Sequence, residues 1–156
     1  GISHASELLK DKSVAERQAK SAAEIIEKYT GIKTKINILY PDTLNPGSAI
    51  ELFAKTEKSV LGSDNLGEIR KKAEDVGKEA AQKLVEEIKS GACVDEHAAD
   101  QLLPYMALAA EKGPSVIKVA GITNHARTNM WVIEKFLPVK FDVDELNKTI
   151  VCRKQS

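Results

Sequence analysis

A chain of 156 residues can bury one compact core or two small ones. It is 42% apolar but only 4% aromatic, so its core is aliphatic; its formal net charge of zero excludes a global attraction to nucleic acid or membrane and leaves local patches. Two cysteines, Cys93 and Cys152, form neither a disulfide framework nor a metal spacing and fit a reducing cytoplasm, and no apolar run reaches spanning length. The opening residues, G-I-S-H-A-S-E-L-L, read as the middle of a strand and its exit, as in a fragment of a longer chain. Ser13-Val-Ala-Glu16 has the capping-box pattern and opens a helix with Ala15, Ala19, Ala22 and Ile26 on one face, closed by Gly31. Ile32 to Tyr40 alternates as a half-wet strand, Pro41 to Ser48 is a loop rich in turn residues, and Ala49 to Lys55 alternates again. Lys58 to Gly62 reads as a third, short strand, and Gly62 to Lys72 as a polar mobile segment. A long helix follows with Ala73, Val76, Gly77, Ala80, Leu84 and Ile88 inward, ending at Ser90-Gly91.

A second portion begins near Ala92. Val94 to Ala110 is helical, with Pro104 expected to kink it, and Lys112-Gly-Pro breaks it. Ser115 to Ala120 is a buried strand. Val139 to Val143 and Thr149 to Arg153 form a closing hairpin. Between them, Gly121 to Pro138 reads as a strand exit, a polar turn and an amphipathic helix. Thr123 and Asn124 are good N-cap types, so the helix starts near His125. Met130, Ile133, Phe136 and Leu137 mark its apolar side, and Pro138 stops it. One imidazole, His125, therefore sits at the positive end of a helix, beside Arg127 and the unpaired N–H groups of the first turn, where a phosphate is held. Such a helix end disfavours the imidazolium, and a neutral ring keeps a lone pair that can attack phosphorus. Taken alone, a single histidine here reads more readily as a plain capping residue.

Glu96, His97, Asp100 and Gln101 crowd the start of the preceding helix. His97 and Gln101 are four apart and share a face, with Asp100 beside them. An acid, an imidazole and an amide on one face suit a base and ribose, or a divalent ion. An ordinary solvated first turn has the same composition. The spacing is not H-E-x-x-H, and no cysteine pair completes a zinc site. Arg70-Lys71-Lys72 and Arg153-Lys154 are short basic runs able to touch RNA phosphate, but short enough for ordinary surface. Neither a phosphate-cradling glycine loop nor a serine nucleophile elbow is present.

Two stretches carry a family resemblance. G-A-C-V-D-E-H-A-A-D-Q-L-L-P-Y-M-A-L-A, followed by N-H-A-R-T-N-M-W-V-I-E-K-F-L-P-V-K-F, resembles the C-terminal part of RNA 3′-terminal phosphate cyclase, and A-E-D-V-G-K-E-A-A upstream is similar. The likeness spans most of the chain and is weakest before Lys58. It implies an α/β (α+β) fold: a small α/β insert domain at residues 1–91, then residues 92–156 as part of a catalytic core, a β-α-β-α-β-β unit whose leading strand is missing.

The resemblance also implies an activity. The family uses ATP to convert an RNA 3′-phosphate end to a 2′,3′-cyclic phosphate through a covalent histidine-AMP. The nucleophile then falls on His125, and the adenylate-contacting stretch on His97, Ala98, Ala99, Asp100 and Gln101. A divalent metal, magnesium or manganese, is expected to neutralise the triphosphate. The family's N-terminal half is outside this chain, so the chain alone is expected to be inactive, to need that half as partner, or to associate with a second copy. Two alternatives stand beside this reading: a non-catalytic ribosome-assembly relative of the same fold, which lacks the histidine, and a metal-dependent hydrolase using His97, Asp100 and His125.

Overall fold

The computed structural model describes every residue except Lys58 and Ser156. The chain divides into two compact units, Gly1–Lys55 with Leu61–Glu86, and Thr56–Val60 with Glu87–Ser156.

In the first unit, β1 (Ile2–Ala5) leads through a 3₁₀ helix, Glu7–Lys12, into α1 (Val14–Thr30). The strands β2 (Asn37–Leu39), β3 (Ser48–Lys55) and β4 (Val60–Leu66) follow, and α2 (Ala73–Ser90) comes last. The sheet order is β2-β1-β3-β4, with β1 parallel to β2 and antiparallel to β3. Alanines and one isoleucine form the inner face of α1: Ala15, Ala19, Ala22 and Ile26 are buried. Gly31 ends the helix at φ 70°, a left-handed cap that costs least without a Cβ.

Three local expectations are corrected. Ser13 does not form a capping box: it lies at φ 47°, its hydroxyl makes no cap bond, and Glu16 instead accepts the Tyr40 hydroxyl. Only Asn37–Leu39 of the expected strand Ile32 to Tyr40 pairs, because its partner β1 offers only Ile2 to His4 in register. The segment Gly62 to Lys72 is not all loop: β4 continues to Leu66, held where Ser63 Oγ donates to the Ala80 carbonyl and Asn65 Nδ2 to that of Val76. Side-chain bonds to a helix supply the order that its weak strand propensity lacks. The expected start of that strand at Lys58 lies outside the described residues.

The buried Gln18 carries a polar network through this core. Its Oε1 accepts from Ser3 Oγ at 3.0 Å, and its Nε2 donates to Ser48 Oγ at 2.9 Å, tying α1 to β1 and β3. The same residue sets the approach of α2. A Cβ added at Gly77 would lie 2.0 Å from the Gln18 carbonyl oxygen and 2.8 Å from its carbon. Gly77→Ala must push helix from helix. The expected cost is about 2–3 kcal/mol, read as a lowered denaturation midpoint, even though alanine is the better helix former.

In the second unit, α3 (Glu96–Ala109) precedes β5 (Ser115–Lys118), α4 (Asn124–Phe136), β6 (Val139–Asp144) and β7 (Thr149–Lys154). The sheet order is β5-β7-β6, antiparallel throughout. Leu103 and Met106 of α3, Met130 of α4, and Ile117, Val119, Phe141, Ile150 and Cys152 make one aliphatic-rich core beneath the two helices. Each large side chain removed from water there is worth roughly 1.5–3 kcal/mol. Phe136, expected on the inner side of α4, is the last residue of that helix and is 81% exposed. Among the described residues, no helix is long and apolar enough to cross a membrane.

Candidate active site

Two helix starts build the site. Asp95 caps α3, its Oδ1 accepting from the Ala98 N–H at 2.8 Å. Thr123 caps α4, its hydroxyl accepting from the Ala126 N–H at 3.0 Å. One helical turn past the first cap is Asp100, and one residue into α4 is His125. The packing of α3 on α4 brings them together: His125 Nδ1 lies 2.8 Å from Asp100 Oδ2. The other carboxylate oxygen, Oδ1, accepts from Asn129 Nδ2 at 2.7 Å.

The two side chains differ sharply in exposure, 11% for Asp100 against 76% for His125. A carboxylate so covered is tolerable because both its oxygens are hydrogen-bonded. Being fixed, it fixes the ring. An ionised carboxylate only accepts, so Nδ1 carries the proton, and Nε2 is the nitrogen with the free lone pair. The side chain as a whole is largely exposed, in the first turn of a helix whose first N–H groups lack intrahelical acceptors.

The adenylate stretch is distributed over three environments. His97 and Gln101 are exposed on the outer face of α3, with His97 Nε2 3.7 Å from Glu96 Oε1. Ala98 is half-buried at the cap, and Ala99 faces the core. Asp100 turns to His125. Arg127, expected beside the phosphate, instead pairs with Glu145. Asn129 was missed by sequence reading. Its signal was the i, i+4 spacing from His125, which puts an amide on the same face as the imidazole. Pro104 lies inside α3 and has no N–H to give the Asp100 carbonyl four residues earlier.

Below the start of α3, Glu87 is a buried acid whose Oε2 has no hydrogen-bond partner. Burial pushes its carboxyl above the ordinary carboxylate range; a backbone bond from Glu96 and the charge of His97 oppose this, while Asp95 and Glu96 reinforce it. The folded state therefore holds the proton more tightly than the unfolded chain. Stability from this group is complete at acid pH and falls as pH rises from about 4.5 through the raised folded value. Glu87→Gln should remove that fall and raise stability at pH 7 by about 1 kcal/mol, seen as a flatter melting-temperature profile against pH.

No group of three or more His, Cys, Asp or Glu side chains able to hold a metal ion occurs among the described residues. The residues present thus do not fit a metal held by this chain alone. Cys93 is exposed and bonded through Sγ to the backbone of Lys118, and Cys152 is buried.

Comparison with known proteins shows the family. Residues 1–89 match the family described as RNA 3′-terminal phosphate cyclase (RTC), insert domain. Relatives named RNA 3′-terminal phosphate cyclase include one from Methanopyrus kandleri, 48% identical over 92% of this chain and 41% of its own length. One from Pyrococcus abyssi is 46% identical over 92% of this chain and 40% of its own. One from Ignicoccus hospitalis is 44% identical over 98% of this chain and 44% of its own. The chain thus spans about two-fifths of the length of the curated relatives it matches. A match over more than half its residues, continued by these relatives through both units, places the chain in the RNA 3′-terminal phosphate cyclase family.

Proposed function

We propose that this chain supplies the nucleophile of an ATP-dependent RNA 3′-phosphate cyclase, and that the nucleophile is Nε2 of His125. The observation that carries the reading is the Asp100–His125 bond at 2.8 Å, which holds the proton on Nδ1 and leaves the free lone pair on Nε2. Nε2 attacks the α-phosphorus of ATP. The N–P bond forms as the P–O bond to the β-phosphate breaks, and the electron pair leaves on pyrophosphate. Positive charge grows on the ring during attack, and the Asp100 carboxylate stabilises it where it develops. The α4 N-terminus favours the negative phosphoryl oxygens. An RNA 3′-phosphate oxygen then takes AMP from Nε2 with the ring as leaving group. The adjacent 2′-hydroxyl attacks the activated 3′-phosphorus, expelling AMP and closing the 2′,3′-cyclic diester.

Within the adenylate stretch, His97 and Gln101 are the side chains left facing solvent and suit the nucleoside. Asp100 acts through His125, as a positioning residue. The divalent metal is held mainly by ATP and by residues outside this chain. Tyr105, Leu108, Val116 and Trp131 are exposed apolar side chains of the second unit, suited to burial by the rest of the catalytic core. The longer protein containing this chain, incubated with ATP radiolabelled at its α-phosphate and a divalent metal, should retain label through denaturation. Label lost on denaturation contradicts the covalent step.

A further inference from the structure

The first unit carries a groove of 530 Å³ that the cyclase chemistry at His125 does not use. Five cationic side chains line it, Lys12, Arg17, Arg70, Lys71 and Lys72, against one lining acid, Glu68. Two of the five are already neutralised: Arg17 bonds Glu74 through both Nε and a terminal nitrogen, and Lys71 bonds Glu79 at 2.6 Å. Lys12, Arg70 and Lys72 are exposed and make no ion pair among the described residues. They come from two places in the chain, the end of the 3₁₀ helix and the short basic run before α2, and the fold brings the two to one groove.

The groove floor adds to this charge. Val14 and Ala73, the first residues of α1 and α2, both line it, so two long helices point their positive ends into one concavity. The cap residue of α1, Ser13, makes no side-chain bond to the first N–H groups of that helix, of which the Ala15 N–H is taken by the Tyr40 hydroxyl. No aromatic side chain lines the groove, so it has nothing to stack a base on.

We propose that this groove binds the phosphodiester backbone of single-stranded RNA, away from the reacting 3′ end and without sequence preference. The choice of RNA rests on the family reading above; the polyanion chemistry rests on the groove alone. Phosphates displace counterions from three free cations, so binding is salt-dependent, and each neutralised phosphate contributes a slope of about 0.7 in log K against log salt.

The test is fluorescence anisotropy of the 156-residue chain with a short labelled single-stranded RNA. It is run for Lys12→Gln/Arg70→Gln/Lys72→Gln and for a charge-matched control, Lys20→Gln/Lys28→Gln/Lys33→Gln, on exposed positions away from the groove. The groove variant should bind about tenfold or more weakly, with the salt slope reduced by about 2, while the control stays within about twofold of the parent. RNA ending in 3′-phosphate and in 3′-hydroxyl should bind alike. Equal losses in the two variants, no loss in the groove variant, or no RNA binding by the parent chain overturns the groove assignment. None of these outcomes alters covalent labelling at His125, so the two readings fail separately.

Discussion

His125→Ala, made in the longer protein, is expected to abolish covalent capture of AMP while leaving the fold intact. The ring is 76% exposed and is hydrogen-bonded to Asp100, so its removal opens no core cavity. Its loss takes away the nitrogen that this reading assigns to the attack on phosphorus, and the helix end and carboxylate left beside it cannot form an N–P bond. Label retention should drop by at least about 10⁴-fold, to the level of the uncatalysed background, as for other covalent catalysts stripped of their nucleophile. Thermal melting within about 2 °C of the parent confirms that the loss is chemical. Persistent labelling would move the nucleophile to another residue.

Asp100→Asn is expected to produce the second-largest loss, about 10³–10⁴-fold in the rate of adenylate formation, by analogy with the carboxylate partner of a catalytic histidine. The amide preserves shape and can still face Asn129. It can, however, present an N–H to Nδ1, which moves the ring proton to Nε2 and blocks the attacking lone pair. A residue that only contacted adenosine would show its loss mainly in ATP affinity. A positioning residue shows it in the rate at saturating ATP, with affinity changed little. Asn129→Ala should follow the same pattern at roughly tenfold, since it frees Asp100 Oδ1 without touching the ring.

Much of this architecture is local and therefore visible in the chain. Periodic Ala15, Ala19, Ala22 and Ile26 mark the buried face of α1, Thr123 marks the start of α4, and alternation marks the β6–β7 hairpin. These depend on side chains three or four residues apart, or on period two. The failures are tertiary. Ser13 reads as a cap, yet Tyr40, far along the chain, claims both the Glu16 carboxylate and the Ala15 N–H. The burial of Gln18 likewise rests on residues distant in sequence, Ser3 and Ser48, which close around it.

The site divides in the same way. His125 at a helix N-terminus follows from the Thr-Asn-His sequence. That Asp100 meets it does not, because 25 residues and a strand separate them, and only the packing of α3 on α4 makes the contact. The acid therefore looks like a nucleoside ligand in sequence and like an imidazole anchor in three dimensions. Arg127 shows the converse: sequence neighbourhood places it near the phosphate, and its actual partner is Glu145 on the β6–β7 turn.

The most direct test is to locate the bound AMP. After reaction of the longer protein with ATP, the adduct should map by peptide mass spectrometry to His125, and nitrogen NMR of the labelled ring should show phosphorus on Nε2 with Nδ1 still protonated. AMP on Nδ1, or on any other side chain, would contradict the account, because Asp100 would then not be holding the nitrogen that this geometry reserves for it.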